Sequence, residues 1–288
     1  MLELMLPALV ASLVLLGIHS YLGIHIIARG VIFVDLALAQ VAAAGWAAAN
    51  LGLSHTISEL TGVPENFAGY SVGVIATLVA AALFSISRVE HKHIPQEAII
   101  GIVYVVASAL TILLAAQAPR GSEHVEQLLT GSLLWVTWPQ IARTAVIYGI
   151  IGVTHWMLRH RFLTISLNPK EARSRNWSIG WWDFLFYALF GIVVTISVAI
   201  AGVLVVFSFL VIPAVIAFLF TSRAGAMLAV ALTSGTVATV LGLIASYQWD
   251  LPTGPVVVCT FAAVLAAAFA VRAVLPRDVP QPLKDQSG

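Results

Sequence analysis

The chain predicts an all-α fold, a polytopic transmembrane helical bundle of eight or nine spans with its N-terminus outside and its C-terminus in the cytoplasm. Three observations carry that expectation. Of 288 residues, 60% are hydrophobic and 9% charged, with a mean hydropathy of +0.99, whereas soluble domains carry about 25% charged residues. Apolar runs of roughly 20 residues, enough for a helix to cross about 30 Å of hydrocarbon, fill most of the sequence, and the alternation of a membrane β-barrel is absent. The basic residues also fall overwhelmingly on one side of those runs.

Taken in order, the apolar windows lie at 5–27, 31–52, 69–87, 97–117, 138–158, 181–200, 203–220, 226–247 and 255–274. The first is too long for the apolar core of a signal peptide. It lacks a basic leader and runs into Arg29 rather than a small-residue cleavage site, so it reads as a retained span. Windows six and seven are separated only by Ala201 and Gly202, so that block holds either two spans or one span and a broken helix. Residues 1–275 form one transmembrane domain, and the polar, Pro-containing stretch 276–288 reads as a disordered cytoplasmic tail.

With the N-terminus outside and nine crossings, the cytoplasmic bases are Arg29, Arg88, Lys92, Arg159, Arg161, Lys170, Arg173, Arg175, Arg223, Arg272, Arg277 and Lys284. Only Arg120 and Arg143 of the fourteen fall outside, a split of 12 to 2 that the inverted topology would reverse. Glu3, Glu59, Glu65, Glu123, Glu126 and Asp250 then gather externally, where their field would attract cations. A single cysteine, Cys259, excludes an intrachain disulfide and CxxC metal motifs. No basic patch interleaved with aromatics points to nucleic acid.

The segment Leu167–Ser178, LNPKEARSRNWS, is a charged island on the cytoplasmic side. Asn168 suits a helix N-cap, Pro169 the first helical position and Glu171 a reciprocal cap, so a short helix is expected from Pro169. Lys170, Glu171, Arg173 and Arg175 give it a face for a soluble protein, and Trp177, Trp181 and Trp182 sit where indoles anchor at the membrane interface. By itself the island reads equally as a capped turn without a partner.

Gly202 to Ala217 (GVLVVFSFLVIPAVIA), followed one span later by Trp249 to Pro255 (WDLPTGP), resembles the signature order of the permease subunits of zinc, manganese and iron ABC importers. Ala98–Gly101 (AIIG) and Gln127–Val136 (QLLTGSLLWV) resemble two further family segments, and the likeness runs over about residues 8 to 275. It implies a permease of the prokaryotic cytoplasmic membrane, embedded in lipid, with no resident cofactor and a divalent metal ion as cargo. Its partners would be an ABC ATPase, an external substrate-binding protein and a second permease copy or homologue. The family's coupling segment corresponds to Asn168, Pro169, Lys170, Glu171, Ala172 and Arg173. No GxxxxGK[ST] phosphate loop occurs, so ATP would act only through the partner. Pro213, with Gly202 and Ser208 nearby, marks a gate or a static kink.

Asp35 lies in Arg29–Gly45, similar to the family's second-span motif, in which an Asp and a His four residues later face the pathway. Here the position matching that His is Gln40, five residues on, about 140° around a helix rather than about 40°. A carboxylate and an amide oxygen suit a hard cation better than zinc. Asp35 is expected to line the pathway or to lock two helices together. Glu123 and His124, in an external loop, are candidate entry ligands.

His19 and His25 are expected to be bonded singly, His91 and His93 to lie in a solvated loop, and His155 and His160 to be interfacial. An intramembrane hydrolase would need Ser12 or Ser20 paired with His19 or His25, but neighbours on a helix point apart. An ion-coupled secondary transporter should show inverted repeats and denser buried charge, and neither is present. A siderophore or cobalamin permease would be expected to have about ten spans.

Overall fold

The computed structural model describes residues 2–90, 95–117, 131 and 133–275, and among these every regular element is helical. The long helices are α1 (Leu2–Arg29), α2 (Val34–Ala48), α4 (Glu65–Glu90), α5 (Gln96–Ala115), α6 (Trp138–Met157), α9 (Ile179–Ala201), α10 (Val203–Phe220), α11 (Ala224–Trp249) and α12 (Thr253–Val274). Shorter ones are α3 (Ser54–Thr61), α7 (Arg159–Leu167) and α8 (Pro169–Ser174). Eight helices are long and apolar enough to cross a membrane, and α6 with its continuation α7, bent by 73°, would make a ninth. Both span counts left open by the sequence therefore turn on α6, whose Gln140, Arg143 and His155 dilute its apolar run.

Local chemistry sets the boundaries. Thr137 caps α6 through a capping box with Gln140, and Pro139 occupies its first turn, where a missing N–H costs nothing. The second window extends further than expected. A π-turn over Ala49–Leu53, with Gly52 at φ 110°, carries α2 on into α3, which ends at left-handed Gly62. The sixth and seventh windows are two helices meeting at Gly202 (φ 78°, ψ 160°), a conformation open to glycine but not to a residue with a Cβ.

α1 is the most buried span, packed on α6, α7, α10 and α11, whereas α5 and α12 are largely uncovered. A Cβ at Gly23 would stand 2.0 Å from the Leu210 carbonyl oxygen, so only glycine allows α1 and α10 to touch backbone to backbone. This is the small-residue packing by which helices associate in lipid, where the hydrophobic effect supplies no drive between them. α2 packs between α4 and α5, and α9 lies on α4. Gly131 presses so closely on the backbone of Ala201 and Gly202 that the segment before α6 is wedged against the α9–α10 junction.

Candidate functional site

The charged island folds as its caps predict. Asn168 Oδ1 accepts from the Glu171 amide at 3.4 Å, and α8 begins at Pro169. The reciprocal arm differs from expectation. The Glu171 carboxylate takes the Asn168 side-chain amide at 3.1 Å rather than its backbone N–H, because that N–H already donates to Thr164 at the end of α7. Glu171 also pairs with Arg175 at 2.9 Å. Ala172 is buried, anchoring the short helix, while Pro169, Lys170 and Arg173 are exposed. Trp182 does more than mark the interface, for the Arg161 guanidinium lies 4.5 Å over its ring, while Trp181 stays 57% exposed.

Beneath this segment lies a polar cluster that the hydropathy reading overlooked. Asp183, in the first turns of α9, is fully buried. Its Oδ1 accepts from Arg29 Nη1 at 2.6 Å and Arg88 Nη1 at 2.8 Å, and its Oδ2 from Arg88 Nη1 at 2.8 Å. The Arg29 guanidinium sits 4.0 Å over the Phe186 ring and donates through Nε to Ser166 Oγ of α7 at 2.9 Å. Arg29 and Arg88, counted from sequence as solvated flanks, are therefore counter-ions joining α1 and α4 to α9, with Arg29 wholly buried and Arg88 19% exposed at the side chain. The signal was available in Trp181–Phe184 (WWDF), a lone acid in an apolar run.

The histidines of the spans are held singly, His19 by the Leu15 carbonyl at 2.7 Å and His25 by Ser166 at 2.9 Å. His155 is a correction: it is 1% exposed, stacked on Phe162 at 4.6 Å, because the bend into α7 folds that ring over it instead of leaving it at the interface.

Asp35 occupies the first turn of α2, 1% exposed, and its Oδ1 has no hydrogen-bond partner. Among the described residues no partner on another helix holds Oδ1. The positive end of the α2 dipole and the Tyr148 hydroxyl lie within electrostatic reach, but that hydroxyl is already engaged with the Val193 carbonyl and Ser197. Gln40 is half-buried on α2, its backbone carbonyl accepting weakly from Thr111 at 3.5 Å. No group of three His, Cys, Asp or Glu side chains able to hold a metal occurs among the described residues. Glu123 and His124 lie outside the described residues.

Of the expected gate residues, Gly202 is the junction itself. Ser208 is buried and turned back onto the Leu204 carbonyl at 2.9 Å, and Pro213 is buried within an α10 that continues unbroken past it. A Cβ on Gly235 of α11 would meet Pro213 at 3.2 Å and Leu16 of α1 at 2.6 Å, so the proline packs where α1, α10 and α11 meet.

A family model described as the ABC 3 transport family matches residues 1–272. The manganese transport system membrane protein MntC of Listeria monocytogenes is 26% identical, over 91% of this chain and 88% of that protein. The chelated iron transport system membrane protein YfeD of Yersinia pestis is 24% identical, over 84% of this chain and 80% of that protein. Among solved structures, PsaBC from Streptococcus pneumoniae in complex with Fab superimposes with a TM-score of 0.74 at 22% identity, covering 92% of this chain and 91% of that one.

Proposed function

The chain belongs to the ABC 3 transport family, and we propose that it is the permease subunit of an importer that carries a divalent metal ion inward across the prokaryotic cytoplasmic membrane. The permease role rests on a match that runs through nearly the whole chain. The cation reading is carried by Asp35, a buried carboxyl whose Oδ1 has no partner, in a medium where an uncompensated charge is costly. An ion passing that point supplies what the chain withholds, and a carboxylate oxygen from Asp35 favours a hard cation such as manganese over zinc. With the N-terminus outside, the external acids Glu59, Glu65 and Asp250, all exposed, face the side where a substrate-binding protein would deliver the ion. A second permease copy would complete the pathway.

ATP is consumed elsewhere, and its force enters at the island. α8 is a rigid, capped knob whose exposed Lys170 and Arg173 meet the ATPase, while α7 behind it is tied by Ser166 to Arg29 and so to the buried cluster on α1, α4 and α9. Displacement of α8 is thereby passed to three membrane helices at once. The hinge at Gly202, with Ser208 and Pro213 beyond it, then serves as the gate.

Charge reversal at Lys170 and Arg173 together tests the docking. Both side chains are exposed and the Glu171 cap is untouched, so the variant is expected to reach the membrane normally but to lose co-purification with its ATPase by about tenfold or more, each reversal costing roughly 1 kcal/mol at a charged rim. Normal co-purification would exclude α8 as the docking element. Reversal at Glu171 is a poorer test, because it also breaks the bonds to Asn168 and Arg175.

A further inference from the structure

Between α1, α6 and α11 lies a cavity of about 610 Å3, within the range of ligand sites, ~300–1,000 Å3. Glycines keep it open. A Cβ built at Gly17, Gly152 or Gly225, all lining it, would meet no atom within 4 Å, in contrast to Gly23 and Gly235, whose Cβ atoms would collide with neighbouring helices. Glycine weakens a helix, and close approach of two helices explains Gly23 and Gly235 but not Gly17 or Gly152. The vacant space at those two positions is thus not filled by this chain.

The walls are mostly apolar, with Tyr21, His25 and Tyr148 on the sides and Arg159 at the rim. His25, 1% exposed, lines the cavity, and its Nε2 has no hydrogen-bond partner among the described residues. Ser166 Oγ accepts from Arg29 Nε and shares a hydrogen bond with His25 Nδ1 at 2.9 Å, which fixes the orientation of the imidazole ring beside the cavity. Tyr21 also lines the space, its buried hydroxyl without a hydrogen-bond partner among the described residues. At the rim, Arg159 lies 4.6 Å over the Trp156 ring, and that residue is 65% exposed. His160 and Arg161 follow directly.

We infer that this cavity holds one anionic glycerophospholipid, its acyl chain along Gly17 and Gly152 and its phosphate on Arg159. The charge complementarity at the rim decides the class of occupant: basic and aromatic residues at the end of a span draw acidic headgroups, and an acyl chain matches apolar walls.

Native mass spectrometry of the full chain in detergent, with phosphatidylglycerol or phosphatidylcholine added, tests this. One phosphatidylglycerol is expected to remain bound where phosphatidylcholine is lost. Arg159→Gln should weaken its retention about fivefold, and Gly152→Leu, which fills the space without a clash at its Cβ, should abolish it. Equal retention of both lipids, or unchanged retention in Arg159→Gln, overturns the inference. So does a Gly152→Leu variant that alters the number of copies in the complex instead of its lipid, which would assign the cavity to a second protein chain.

Discussion

Asp183→Asn is expected to prevent the chain from accumulating as a folded membrane protein. Two guanidiniums converge on that one carboxylate, and Arg29 is wholly enclosed. Removing the anion leaves two cations facing each other, one of them, Arg29, shut off from water, and breaking a buried pair from one side costs about 3–5 kcal/mol. That is a large part of the 5–15 kcal/mol that holds a typical domain together. Among the described residues the cluster is unequal, two cations to one anion, and this makes a sharper expectation possible. Arg88→Met leaves a balanced Arg29–Asp183 pair and removes the partly exposed member, so it should be much milder, on the order of 1 kcal/mol. Yield and thermal midpoint of the detergent-solubilised protein measure both. A stable Asp183→Asn variant, or equal damage from Arg88→Met, would show that the cluster does not hold α1, α4 and α9 together.

The opposite result is expected at Asp35. Asp35→Asn conserves shape and alters a carboxyl whose Oδ1 no group among the described residues satisfies, so the fold should be kept. Uptake, however, should fall about ten- to a hundredfold, the equivalent of one lost charge-assisted contact to the cation at roughly 1.5–3 kcal/mol. Radiolabelled manganese uptake in cells with matched levels of membrane protein separates the effects. Full uptake with normal expression would remove Asp35 from the pathway, and loss of expression would make it structural.

Much of this was legible in the sequence. The spans were found because hydropathy is a local sum over about 20 residues and the bilayer imposes their length. The α8 cap was readable because Asn168, Pro169 and Glu171 act within three residues of one another. Less local features escaped. The bend after Met157 and the continuation of α2 through Gly52 depend on what those helices meet, and His155 looked interfacial only because the fold of α7 over it was unknown. Asp183 drew no attention within a run that was otherwise correctly read as a span.

The two buried aspartates draw the dividing line. By itself the sequence determined that this is a many-span helical membrane protein with a capped charged helix on its basic side and the segment order of a metal importer's permease, since each of those is written in neighbouring residues. What it could not determine is that Asp183 is a held counter-ion, because the groups that hold it lie 95 and 154 residues away along the chain. Only the packing of α1 and α4 on α9 brings Arg29 and Arg88 to Asp183 and leaves Asp35 Oδ1 without a partner. In a low-dielectric interior a carboxylate is defined by the charges beside it, and only the tertiary fold places them there.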